Sequence, residues 1–78
     1  MFNVRRINFD NDVVATHATL AEALAAAARG PWETAVDEIG ADGRCVAVRA
    51  AWGVFSGLRT YDDEARAAAT TLRKEARS

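Results

Sequence analysis

The chain has 78 residues, with ten basic and eleven acidic side chains and a net charge of −1. It is long enough for one domain, and no global field draws it to nucleic acid or anionic lipid. Half the residues are apolar, which excludes a disordered chain. Eighteen of them are Ala, against thirteen Val, Ile and Leu combined. An alanine core gains only about 0.8 kcal/mol per buried methyl and needs close backbone approach. Two states suit it: a monomer with helices packed tightly on a sheet, or a chain helped by a partner such as a homodimer copy. One cysteine cannot form an internal disulfide. Met1-Phe2-Asn3-Val4-Arg5-Arg6 lacks the apolar stretch of a signal peptide, and no window approaches a membrane span.

Phe2 to Phe9 reads as a strand with Phe2, Val4, Ile7 and Phe9 as its apolar positions. Their change of phase predicts a bulge or twist near Arg5-Arg6. Asp10-Asn11-Asp12 is a turn signal, and Val13 to Thr16 returns as the partner strand. Thr19-Leu20-Ala21-Glu22 fits a capping box. The helix it opens runs through Ala28 or Arg29, with Leu20, Leu24 and Ala27 or Ala28 on one face. It stops at Gly30, the residue suited to a left-handed C′ position.

Trp32 to Ile39 and Cys45 to Trp52 each alternate with period two and form a hairpin around Gly40-Ala41-Asp42-Gly43. Sharing a face between Val36 and Val46/Val48 predicts Val36 opposite Val48, Trp32 opposite Trp52 and Gly43 in a left-handed bulge position. Gly53 and Gly57 bracket a bend or a short final strand. Thr60 is placed to cap a second helix. Asp62, Asp63 and Glu64 crowd its first turn, and Arg73, Lys74 and Arg77 its last, as the helix dipole favours. Ala65, Ala68 or Ala69, Leu72 and Ala76 form its apolar stripe. The expected fold is a single α+β domain over residues 1–78, order ββαββα. Its antiparallel sheet has four or five strands and is packed by two alanine-rich helices.

Reactive groups are scarce. A nucleophile would need His17 beside Cys45, in a strand, or beside Ser56, in a glycine-bracketed turn, and no motif joins them. One His and one Cys cannot build a structural zinc site. Asp10-Asn11-Asp12 opens like a calcium loop, but no glycine follows at the sixth position, and Ala21 holds the twelfth with Glu22 beside it. Gly40-Ala41-Asp42-Gly43-Arg44 lacks the ending of a phosphate loop and leads into a strand. No catalytic residue, cofactor or metal is therefore expected.

Binding remains. Arg5, Arg6, Arg49 and Arg59 with Phe9, Phe55 and Tyr61 would make a basic, aromatic sheet face for nucleic acid. Glu33 and Asp37 project beside Arg49 and disfavour it. Trp52 to Tyr61 is the richest stretch for a protein interface, with Arg59 and Tyr61 as its exposed members. Trp52, Phe55 and Leu58 serve equally well as the large core residues the helices lack. A second candidate surface is the acidic set Asp10, Asp12, Glu33, Asp37 and Glu38, which imitates phosphates to a basic partner if contiguous. On that view Glu33→Lys with Asp37→Lys abolishes partner binding and leaves the fold intact.

The turns at Asp10-Asn11-Asp12 and Gly40-Ala41-Asp42-Gly43, with capped helices starting at Thr19 and Thr60, give the whole chain a resemblance to the small inhibitors of phages and other mobile elements, anti-CRISPR proteins among them. The resemblance implies a non-enzymatic protein in the cytoplasm of a bacterial host cell. It would bind a type I CRISPR surveillance complex and obstruct target DNA binding. The net charge of −1 departs from the strongly acidic DNA mimics. The alternative is a small accessory module that binds nucleic acid or its own copy.

Overall fold

A computed structural model describes residues 1–77, with side chains through Glu75. The chain runs β1 (Phe2–Arg6), β2 (Val13–His17), α1 (Leu20–Arg29), β3 (Thr34–Ile39), β4 (Cys45–Gly53), β5 (Gly57–Thr60) and α2 (Asp63–Arg77). The strands form one antiparallel sheet in the order β2-β1-β3-β4-β5. The α+β fold with two helices on a five-stranded sheet is thus as the sequence pattern expects. The segment between Gly53 and Gly57 resolves into a tight turn that adds β5, with Gly57 taking the left-handed φ of 71° that its lack of Cβ permits. No helix among the described residues is long and apolar enough to cross a membrane.

Period-two alternation puts Val4, Val36 and Ala50 on one sheet face, where they meet Leu20, Ala23, Leu24 and Ala27 of α1 and Ala65 of α2. Leu24, Val4 and Val36 are the largest wholly buried side chains. The remaining core positions are mostly alanine, so the helices approach the sheet closely. Phe2, Ala15, Trp52, Leu58 and Leu72 close the border of this layer while keeping partial exposure. Thr19 caps α1 by accepting the Glu22 N–H at 3.2 Å, and its hydroxyl also donates to the Glu22 carboxylate at 3.0 Å.

Local geometry departs from the expected pattern in four places. First, β1 ends at Arg6; Ile7 to Asp10 turn away, with Asn8 and Asn11 in the left-handed region at φ 62° and 59°. The β1–β2 register does shift between Val4 and Arg5, close to the predicted bulge. Second, Gly30 is extended at φ −78°, ψ 157° rather than left-handed. Pro31 follows it, and a residue before proline is pushed to extended backbone. Third, Asp62 and not Thr60 caps α2. Asp62 Oδ1 accepts the Ala65 N–H at 2.8 Å, while Thr60 pairs with Ala50 at the end of β5.

Fourth, Trp32 lies outside β3, and Val36 faces Ala50 while Thr34 faces Trp52. Bulges after Val36 and after Glu38 then shift the register, so that Asp37 meets Val48 and Ile39 meets Cys45. Arg49 is the extra residue of the first bulge, and the bulge re-aims its side chain. Val48 is turned from the core as a result and stays exposed, as does Val46. Gly43 keeps its expected left-handed conformation, φ 81°. Ala76, Arg77 and Ser78, the first two assigned to the last turns of the second helix, have side chains outside the described residues.

Candidate functional site

The β1–β3 and β3–β4 registers place three connections at one end of the sheet: residues 7–12, 30–33 and 54–56. Each brings large apolar side chains that the core has no room for. Phe9 is 71 % exposed, Trp32 45 %, Val54 62 %, and Phe55 stands wholly in solvent. Phe9 and Trp32 stack with ring centroids 5.9 Å apart and planes at 23°. The Arg6 guanidinium carbon lies 5.5 Å from the Phe9 centroid and 5.2 Å from that of Trp32, within cation–π range of both.

Carboxylates fix that cation. Arg6 Nε donates to Asp10 Oδ1 at 3.1 Å, Nη2 pairs with Asp10 Oδ2, and Asp12 lies 3.6 Å away. Burial works against the Asp10 charge. The Asp12 backbone N–H and the Arg6 guanidinium outweigh it and hold Asp10 below the ordinary carboxylate range. Asn8 donates to Glu33 at 2.6 Å, and Ile7 N–H bonds the Glu33 carbonyl at 3.0 Å, tying the first two connections together. Val54 from the third closes a cleft of about 350 Å³ against Ile7, Phe9, Pro31 and Trp32. The whole is an aromatic surface with a polar, mostly acidic rim, ordered before any partner arrives.

The predicted site residues are dispersed. Asp10, Asp12 and Glu33 rim the aromatic end. Asp37 is on the helix-free face of β3, 5 % exposed, and receives a fork from Arg5 at 2.8 and 3.3 Å. Glu38 is at the far end of β3, where Arg49 donates to it at 2.6 Å and reaches Asp62 and Glu64 as well. The Arg49 guanidinium and the Ala65 N–H hold the Asp62 carboxyl down to about 2. Arg59 and Tyr61 are exposed on and just after β5, away from the acidic rim. The five acids do not form one patch: each except Glu33 is ion-paired with an arginine.

The groups weighed for nucleophilic chemistry stay apart. His17 on β2 and Cys45 on β4 have β1 and β3 between them, roughly 14 Å at the usual strand spacing. Ser56 is in the turn at the opposite end of β4 from Cys45. The described residues hold no group of three or more His, Cys, Asp or Glu placed to bind a metal ion.

Sequence reasoning missed the Phe9–Trp32 pair because both aromatics extend an alternating pattern and so read as strand. The available signal was their flanks: Gly30-Pro31 before Trp32 and Asp10-Asn11-Asp12 after Phe9. Aromatic residues embedded in turn formers have no sheet face to occupy. No protein-family model, curated protein or solved structure matches the chain.

Proposed function

We propose that this chain is a non-enzymatic binding protein that docks on a larger intracellular protein assembly through the aromatic end of its sheet. The observation that carries the reading is the exposed Phe9–Trp32 stack, pinned by Arg6 and flanked by Val54 and Phe55. Trp and Arg are favoured hot-spot types, and a surface already locked in place loses little freedom on binding. An exposed apolar cluster drawn from three connections serves no purpose in the core and favours association.

Its specific form is an anti-CRISPR-type inhibitor in a bacterial cytoplasm that binds a type I surveillance complex and obstructs target DNA. That partner rests on the whole-chain resemblance. The means of obstruction is steric docking rather than phosphate imitation, because the arginine-paired acids are neutralised locally. Exposed rings beside an arginine also suit base stacking, but Arg6 is already neutralised by Asp10 and Asp12, and the Glu33 carboxylate beside the rings repels phosphates.

The test mixes the chain with a type I surveillance complex and, separately, with bare DNA at two salt concentrations. Stable co-elution with the complex, lost in Trp32→Ala with Phe55→Ser, is the expected result. Truncating two central hot-spot aromatics costs more than about 2 kcal/mol, upward of thirtyfold in affinity. A salt-sensitive shift of bare DNA without co-elution rejects the reading, as does turnover of a small molecule dependent on His17 or Ser56.

A further inference from the structure

Between α1 and α2, over β4 and β5, runs a groove of about 540 Å³, within the range of small-molecule sites, ~300–1,000 Å³. Ala25 and Ala28 of α1, Ala69 and Leu72 of α2, and Trp52 and Leu58 of the sheet give it apolar walls and floor. Its polar groups are few, and its charged ones are of one sign. Arg29 and Arg73, one from each helix, flank it, and the Ser56 hydroxyl belongs to its lining. Neither arginine is paired with a carboxylate among the described residues; Arg29 donates only to the Ala25 carbonyl, at 3.3 Å. This contrasts with Arg5, Arg6 and Arg49, all held by acids.

A second observation comes from the sheet below. Trp52 lines the groove, and its indole Nε1–H is buried with no acceptor. Thr34, its cross-strand neighbour, has a buried hydroxyl that is likewise unpartnered. Buried polar atoms without a partner are rare in native chains, and here two belong to residues paired across β3 and β4, one of which lines the groove. The two like-charged guanidinium groups provide no attraction for one another and a strong one for an anion between them.

We propose that this groove binds a soluble amphiphilic carboxylate, with its apolar body along the alanine walls and the indole face and its carboxylate held by Arg29 and Arg73. Guanidinium forks match a planar carboxylate, and the alanine methyls leave width for a chain or ring without offering polar partners along it. The groove borders the aromatic end at the 54–56 turn but shares no lining residue with the Phe9–Trp32 cleft, so its test does not depend on the docking reading.

The test uses decanoate as probe, with decanol and decyltrimethylammonium as neutral and cationic counterparts of the same chain, all below their micelle concentrations. Phosphatidylglycerol vesicles serve as the membrane source of the same anionic chemistry. In a Trp32→Phe background Trp52 is the only tryptophan of the two left to report. Saturable change of its emission with decanoate is expected, with decanol weaker by roughly tenfold and no response to the cation. Arg29→Gln and Arg73→Gln, both surface changes, each weaken decanoate by about tenfold, the worth of one charge-assisted hydrogen bond, and leave decanol unchanged. Ala28→Leu, which fills the groove, lowers binding of both. The proposal is overturned by any of four results: no saturable response to decanoate, equal binding of all three probes, indifference to both arginine substitutions, or a response to vesicles alone.

Discussion

Arg49 and Arg6 are built from the same parts and end in opposite roles. Each is a strand residue, Arg49 in the middle of β4 and Arg6 the last of β1, with its guanidinium held by carboxylates: Glu38, Asp62 and Glu64 around Arg49, Asp10 and Asp12 around Arg6. The acids on Arg49 come from β3 and from the start of α2, so that cluster ties a helix to the sheet, and its side chain is only 14 % exposed. The acids on Arg6 come from its own loop, so they tie nothing distant; what the cation supports is an aromatic pair facing solvent. The sequence separation of the partners therefore separates a fold-fastening arginine from a surface-shaping one, although the ion pairs look alike.

The largest effect is expected at a third arginine, Arg5, whose fork holds the buried Asp37. Asp37→Lys places two cations against each other in a site that is almost closed. Breaking such a pair costs about 3 kcal/mol, which in a domain this small lowers Tm by more than about 10 °C. Glu33→Lys, on the exposed rim, stays within about 0.5 kcal/mol. The two substitutions are thus not interchangeable, contrary to the sequence-based expectation that both spare the fold. Thermal denaturation of each single variant decides it, and equal melting temperatures would remove the distinction between fastened and rim acids.

Next in size is the direct exchange of the two arginines' roles. Arg49→Met leaves three partly exposed acids unpaired and loses about 1–2 kcal/mol, with partner binding unchanged. Arg6→Met loses under about 1 kcal/mol, because its pairs are local and half-exposed, but frees the Phe9–Trp32 stack and weakens docking several-fold. Urea titration read beside co-elution separates them. A destabilised Arg6→Met with full docking and a stable Arg49→Met without it would invert the comparison.

Much of this is legible in the sequence. The order of elements, the Thr19 cap, the left-handed Gly43 and the opposite faces of Val36 and Asp37 all follow from period and turn chemistry, which act within a few residues. Three features escaped, each for its own reason. The bulge at Arg49 answers to Asp62 and Glu64, thirteen and more residues later, and it alone turns Val48 away from the core. The extended Gly30 needed Pro31 to be weighed above the helix's usual stop. The aromatic end escaped because alternation says which face a residue takes, not whether the strand has already ended. Of the candidate site residues, Asp10, Asp12 and Glu33 were found at the right end of the molecule, while the rings they surround were assigned to strands.

Acid titration gives the smallest and most discriminating contrast. Asp62 is held down to about 2 in the fold, against 3.8 for a free carboxyl, by the Arg49 guanidinium first and the Ala65 N–H second. A depressed folded value means that its contribution is complete above the unfolded value and is lost as the proton arrives. Stability should therefore fall as pH drops from about 4 to about 2. Asp62→Asn keeps a good helix cap, since Asn accepts the same N–H, but removes the titrating charge. Its stability should be lower than that of the parent chain at neutral pH and flatter across that window. Asp10 is also held below its ordinary value, by a loop N–H and Arg6, so Asp10→Asn should flatten the same curve by less. If Asp10→Asn flattens it more, the Arg6 loop and not the α2 start is where the sheet is fastened against acid.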